Sequence, residues 1–248
     1  MQYYQALLIL ILGAIFGSFY NVIIYRLPLK QSIVYGSSHC TNCQTTIKPY
    51  DLIPIVSFLV LRGKCRNCKA SISLRYPLIE LITALSFYLV YHVTGLSYEL
   101  IIGLVLASLL IIIAMIDIDT MEIYDRFHIF ILILALTNLF ITPLPLFEHI
   151  IGFFIISLPF YIIAHVTGGI GGGDIKLIAV AGFLLGYKAT LIAFFIGIVI
   201  GGVIAVYLLM TKQKERKSMI AFGPYLCIGI YFAFLYGNQI FNWYLGLF

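Results

Sequence analysis

Asp117 and Asp174 are the residues whose type and setting could do chemistry. Each stands at one end of a long apolar stretch, in a chain of 248 residues that is 62% hydrophobic and only 10% charged. Asp174 closes the run Gly171-Gly172-Gly173-Asp174, a GxGD pattern, and Asp117 follows the uncharged stretch 100–116. Two carboxylates at one membrane face are the minimum equipment for splitting a peptide bond with water. One, ionised, deprotonates the water, while the other, protonated, polarises the scissile carbonyl. Like-charge repulsion at close range produces that division by raising one of the two pKa values. The glycines before Asp174 suit close approach by an extended substrate backbone. A plainer reading stands beside this one: charges at helix ends insert cheaply, and Asp174 could simply N-cap the helix it opens.

The neighbouring polar residues read more simply. Asp125 is expected to cap the next helix, Asp119 and Glu122 to be solvated loop charges, and Lys176 to be a headgroup or topology charge. His92, His128, His149 and His165 are scattered near helix ends, as interfacial residues are. Glu80, five residues after Arg75, could pair locally or line a polar pocket. There is no Ser/His/Asp order, HExxH, P-loop or strand–GxGxxG–helix pattern.

A second constellation is Cys40-Thr41-Asn42-Cys43 and Cys65-Arg66-Asn67-Cys68, a double CxxC with 21 residues between the pairs. Four thiolates at this spacing suit a structural, tetrahedral Zn²⁺, closed to catalysis because all four positions are filled. The alternatives are two disulfides or a redox pair, disfavoured on a reducing side of the membrane and without a βαβ context. Asn42 and Asn67 occupy equivalent places, where asparagine tolerates left-handed backbone. Lys48, Lys64, Arg66 and Lys69 could offset the net negative charge of the zinc–thiolate centre. His39 adjoins a complete ligand set, and Cys227 reads as an apolar packing residue.

Soluble domains carry about 25% charged residues, so a chain this apolar reads as a polytopic membrane protein. A helix needs about 20 apolar residues to cross the hydrocarbon. Eight spans are expected, near 4–25, 76–94, 98–116, 127–143, 146–167, 175–187, 189–210 and 221–246. The apolar runs are continuous rather than alternating, which excludes a β-barrel. The expected fold is all-α: a first helix to residue 25, a zinc-binding insert at 26–75, and a seven-helix membrane domain at 76–248. Turns such as Thr94-Gly95 and Pro143-Leu144-Pro145 separate some helices. Spaced glycines (Gly13/Gly17, Gly182/Gly186, Gly197/Gly201) allow close helix approach in lipid.

Charge then orients the map. No basic residue precedes Arg26, so the first span reads as an anchor rather than a cleavable signal, with its N-terminus outside. Residues 26–75 hold eight basic residues, and Lys212, Lys214, Arg216, Lys217, Arg126 and Lys176 bring 14 of the 15 to one side. By the positive-inside rule that side is cytoplasmic. Both termini then lie outside, with both aspartates on the cytoplasmic side beside the insert. The excess of positive charge reports topology and not nucleic-acid binding.

These residues resemble type IV prepilin peptidases over most of the chain. The carriers are Gly17-Ser18-Phe19-Tyr20-Asn21-Val22-Ile23-Ile24-Tyr25-Arg26-Leu27-Pro28, the double CxxC, Arg75-Tyr76-Pro77-Leu78-Ile79-Glu80, Asp117-Ile118-Asp119, Gly171–Asp174 with Lys176, and Phe222-Gly223-Pro224-Tyr225. Their order is the family's, and the zinc-containing branch is often bifunctional. The resemblance implies that Asp117 and Asp174 are the catalytic pair, with Asp119 the rival for the first position. Tyr124-Asp125 stands where the family has Pro-Asp or Pro-Asn. It also implies a bacterial inner-membrane location and prepilin or pseudopilin substrates, serving adhesion pili, secretion or DNA uptake. Such substrates are cut after the glycine of a short basic leader, at the cytoplasmic face. S-adenosylmethionine-dependent methylation of the new amino terminus is implied too, with candidate residues among Gly17 to Arg26 (notably Asn21), Glu80 and the insert. Two other classes stay open: an ion- or proton-coupled transporter using the same carboxylates, and a non-catalytic zinc-bearing platform for pilus assembly.

Overall fold

The computed structural model describes residues 2–141, 144–211 and 220–247. The basic residues Lys212, Lys214, Arg216 and Lys217, and Pro143 of the expected turn, lie outside them. Ten α-helices are described: α1 (Gln2–Arg26), α2 (Val56–Val60), α3 (Arg75–Thr94), α4 (Tyr98–Thr120), α5 (Asp125–Asn138), α6 (Leu146–Ile155), α7 (Ser157–Thr167), α8 (Gly172–Leu185), α9 (Tyr187–Met210) and α10 (Gly223–Leu245). A 3₁₀ turn, Pro49–Leu52, precedes α2. Among the described residues there is no β-strand, only two isolated bridges in the insert, His39 with Thr46 and Lys64 with Ser71.

Among the described residues five segments are long and apolar enough to cross a membrane: Tyr3–Arg26, Arg75–Thr94, Tyr98–Thr120, Leu146–Thr167 and Tyr187–Met210. The helices α5 and α8, at 14 residues each, are about 21 Å long, short of the roughly 30 Å hydrocarbon thickness. The helix α10 has the length, but tyrosines and the amides of Asn238, Gln239 and Asn242 dilute its apolar character. The expected stretch 146–167 is two helices broken at Ile156. Pro159 explains the break: it has no N–H to give the carbonyl four residues back, and its ring crowds that carbonyl, which belongs to Ile155.

Two compact units divide the chain, 1–100 and 101–248. In the first, α1 and α3 pack antiparallel. A Cβ on Gly13 would stand 2.6 Å from the Ala84 Cα, and one on Gly17 would stand 2.7 Å from the Glu80 Cα. Only glycine permits backbones this close, as small-residue crossings in lipid require. In the second unit α8 is buried beyond its first turn, from Leu177 to Leu185 except for the half-buried Phe183. Its C-terminal carbonyls, orphaned by the short helix, are met from two neighbours. His149 Nδ1 lies 2.7 Å from the Phe183 oxygen, and Asn138 Nδ2 donates to Leu184 at 3.3 Å. His149 and His128 are therefore buried, not interfacial as their scatter suggested.

Candidate active site and metal centre

In the second unit Asp117 sits in the last turn of α4, and Asp174 in the first turn of α8. Both line one cavity of about 380 Å³, walled by the α4–α5 connection (Met121 to Tyr124), by Asp125 and by Gly171 to Gly173. Asp117 is buried, with 5% exposure, and its Oδ2 has no hydrogen-bond partner; neither has the buried Oδ1 of Asp174. Buried carboxylate oxygens with no protein side-chain partner are exceptional in a folded chain and point to a functional role. Met121, left-handed at φ 55°, ends α4 and turns the chain into the cavity wall.

Asp119 is two residues beyond Asp117 on the same helix, about 200° around its axis. It is exposed and does not line the cavity. Asp174 is not the N-cap of α8: that position is Gly171, and no side chain caps it. Its three glycines differ in surroundings. Gly171 lies under the Asp174 carboxylate and Gly173 against Ile123, while nothing stands within 4 Å of where a Cβ on Gly172 would be. Asp125 and Lys176 depart from expectation as well. Tyr124, not Asp125, is the N-cap of α5, again with no side-chain cap bond. Lys176 Nζ donates to Asp125 Oδ1 at 2.7 Å, and His128 Nδ1 lies 3.4 Å from the same oxygen. The Lys176 ammonium holds the Asp125 carboxyl below the usual range. The ion pair joins the first turns of the two helices that flank the cavity.

Gly223, which opens α10, was legible only as part of a motif. A Cβ there would fall 2.5 Å from Asp117 Oδ2. His128 carried no motif, and its place beside Asp125 follows from their i, i+3 spacing on α5.

The first unit holds the cysteines. The four sulfurs lie within 4.8 Å of one another, and Cys40 and Cys68 Sγ are 3.8 Å apart. Sulfurs of a tetrahedral site with Zn–S near 2.3 Å stand about 3.8 Å apart, so the cluster fits this metal. All four are free thiols. The two turns are built alike. Cys40 N–H donates to Thr45 O, Cys65 N–H to Ala70 O, and the left-handed residues are Gln44 (φ 56°) and Lys69 (φ 60°). Asn42 and Asn67 are thus not the left-handed positions. Each instead donates across the centre, Asn42 to Cys68 Sγ at 3.6 Å and Asn67 to Cys43 Sγ at 3.8 Å. The hydrogen bond with the Thr45 hydroxyl, with help from its amide, holds the Cys43 thiol down to about 6. The amides of Cys68 and Asn67 also lower the Cys65 thiol. Thiolates of this kind are the form a metal binds. Arg66, expected to offset the cluster's charge, forms a bidentate pair with Asp51, at 2.7 and 2.9 Å.

Beside the cysteines a larger cavity, about 860 Å³, is lined by Asn21, Arg26 and Glu80. Asn21 donates to the carbonyls of Gly17 and Tyr76. The Arg26 guanidinium donates to those of Ser32, Tyr35, Gly36 and Ser37, and so shapes the loop after α1. Glu80 is buried and accepts the Ile55 N–H at 2.7 Å.

Comparison with known proteins follows the same division. Residues 11–94 match the bacterial peptidase A24 N-terminal domain, and residues 104–206 match the type IV leader peptidase family. A prepilin leader peptidase/N-methyltransferase of Bacillus subtilis is 40% identical over 244 residues, covering 96% of this chain and 97% of that one. Proteins of the same name from Pseudomonas aeruginosa and Neisseria gonorrhoeae are each 34% identical, over 95% of this chain and 92% and 93% of theirs. No solved structure matches. With relatives this similar over nearly their whole length, the chain belongs to the type IV leader peptidase family.

Proposed function

We propose that this protein is a membrane-embedded aspartic endopeptidase in which Asp117 and Asp174 share general acid–base duty. The observation that carries this reading is the buried Asp117 and the half-buried Asp174 on the wall of one cavity, each with a buried oxygen that no protein group partners. In the proposed step the ionised carboxylate takes a proton from water, and the water oxygen attacks the scissile carbonyl carbon. The protonated partner gives its proton to the carbonyl oxygen, forming a tetrahedral intermediate. Collapse breaks the C–N bond: the leaving amine takes up the proton first removed from water, and a hydroxyl proton of the intermediate returns to the carboxylate that had protonated the carbonyl oxygen. Gly172, open where a side chain would stand, gives an extended substrate room at the cavity mouth.

The substrates are prepilin or pseudopilin precursors, cut between the glycine of a basic leader and the hydrophobic segment after it. The relatives' names and the short polar cavity at helix ends support this reading. The relatives support a bacterial inner-membrane protein, and the concentration of basic residues supports eight spans, with the short α5 and α8 and the less apolar α10 also crossing. The insert and both aspartates then face the cytoplasm and both termini lie outside.

The second activity, methylation of the exposed amino terminus, is assigned to the first unit. Its cavity of about 860 Å³ has room for S-adenosylmethionine, which supplies an electrophilic methyl group. Glu80, a buried carboxylate at the wall, complements the cationic charge of such a ligand, and Asn21 and Arg26 hold the wall in shape. The four cysteines hold structural zinc beside it.

Asp117→Asn and Asp174→Asn are the deciding variants for the peptidase. Each is expected to lower cleavage of a precursor in liposomes by on the order of a thousandfold while leaving zinc content unchanged. Undiminished cleavage by either variant removes that residue from the mechanism.

A further inference from the structure

The segment between the two cysteine turns is built inside out for an element in water. In and around α2 the large apolar residues Tyr50, Ile53, Val56, Leu59 and Val60 are exposed, Leu59 and Val60 by 67% and 70%. The one polar residue within α2, Ser57, is buried, and its hydroxyl donates to the Tyr50 carbonyl. Val56, Leu59 and Val60 fall at i, i+3 and i+4, so they share one helix face. An aqueous helix would bury that stripe and expose the serine.

The segment is also held against the flank of the helix pair. The backbone at Ile55 has a positive φ, 61°, with ψ −50°, a conformation costly for a β-branched residue. It is retained where the Ile55 N–H meets the Glu80 carboxylate at 2.7 Å. Glu80 lies five residues inside the Arg75 end of α3, about 7 Å, and packs opposite Gly17, about 13 Å inside the Arg26 end of α1. Both helices are long and apolar enough to cross a membrane. The chain therefore turns back from the cysteine cluster along two such helices. Beyond the apolar face come the exposed cations Arg62 and Lys64, an order suited to headgroups above acyl chains.

We infer that Ile53–Leu61 is a re-entrant, lipid-inserted element: its Val56/Leu59/Val60 face contacts the acyl chains of the bilayer leaflet on the insert side. This goes beyond the peptidase reading and does not depend on it. It also gives the cavity beside Glu80 a wall at membrane depth, since Ile53, Pro54 and Phe58 line it.

Site-specific tryptophan fluorescence in proteoliposomes tests the assignment. The sole tryptophan, Trp243, is first replaced by phenylalanine, and then Leu59→Trp, Val60→Trp and, as an aqueous control, Tyr35→Trp are made. Zinc content reports that each insert is folded. At positions 59 and 60 we expect blue-shifted emission, strong quenching by brominated acyl chains and several-fold weaker quenching by iodide than at position 35. Emission at 59 and 60 as red and as iodide-sensitive as at 35 would overturn the proposal. Protection from iodide without quenching by brominated lipid would overturn it too, because protein, either a second copy or a bound substrate helix, would then cover the face.

Discussion

A single methyl group at position 223 would stand 2.5 Å from the Oδ2 of Asp117, the buried oxygen that has no partner. Gly223 therefore sets how close the start of α10 comes to the first aspartate. Gly223→Ala must push that carboxylate or tilt the helix, an overpacking strain of about 1–3 kcal/mol. We expect cleavage to fall by about tenfold or more, because a displacement of about 1 Å at reacting groups costs that much or worse. Thermal unfolding should show the chain still folded, and the zinc content should be unchanged. Wild-type cleavage by this variant would mean that the Asp117 carboxylate has other room to move. The carboxylates themselves were legible in the sequence, since acidic residues beside apolar runs are rare and conspicuous. The constraint on Gly223 was not legible, because it arises from contact between residues more than a hundred positions apart.

At the scale of elements, α5 and α8 are tied at their first turns by Lys176 and Asp125. Both side chains are more than half exposed, so the pair itself contributes only about 0–1 kcal/mol to stability. Its proposed value lies in geometry: it holds the Met121–Tyr124 wall against the glycine turn that ends in Asp174. Lys176→Met and Asp125→Asn are each expected to cost under about 1 kcal/mol of stability yet slow cleavage about fivefold, with the double variant no slower than either single one. Independent, multiplying losses would show that the two residues act separately, as a headgroup charge and a loop charge would. Sequence periodicity located the apolar helices but not this pairing, because charges at helix ends have several equivalent partners until the helices are packed. The break at Ile156 was written in Pro159, yet hydropathy averaged over a span hides a single missing N–H. Likewise Asn42 and Asn67 had the composition of left-handed residues, while turn geometry gave that role to Gln44 and Lys69 and left the asparagines free to reach the sulfurs.

Across the whole molecule, each compact unit carries one candidate site, and all the residues of each site lie within its own unit. The family matches divide at the same place, between residues 94 and 104. If the proposed activities follow that division, they are separable by mutation. Glu80→Gln keeps an acceptor for the Ile55 N–H but removes the negative charge from the larger cavity. It should abolish methylation of a pre-cleaved peptide while leaving leader cleavage within about twofold, because sites with no shared partners act additively. Asp174→Asn should do the reverse. Among the described residues the cluster that could hold a metal lies in the first unit: the purified chain should carry close to one zinc, and Cys40→Ser with Cys65→Ser should lose it. Since a structural Zn²⁺ centre supplies folding energy outright, that double variant should also lose the protease resistance of residues 38–73. Methylation should then fail with the loss of the cavity wall that these residues form, whereas the aspartate pair keeps every wall of its own cavity. Loss of both activities on removing only the Glu80 charge would refute the division and require one shared site.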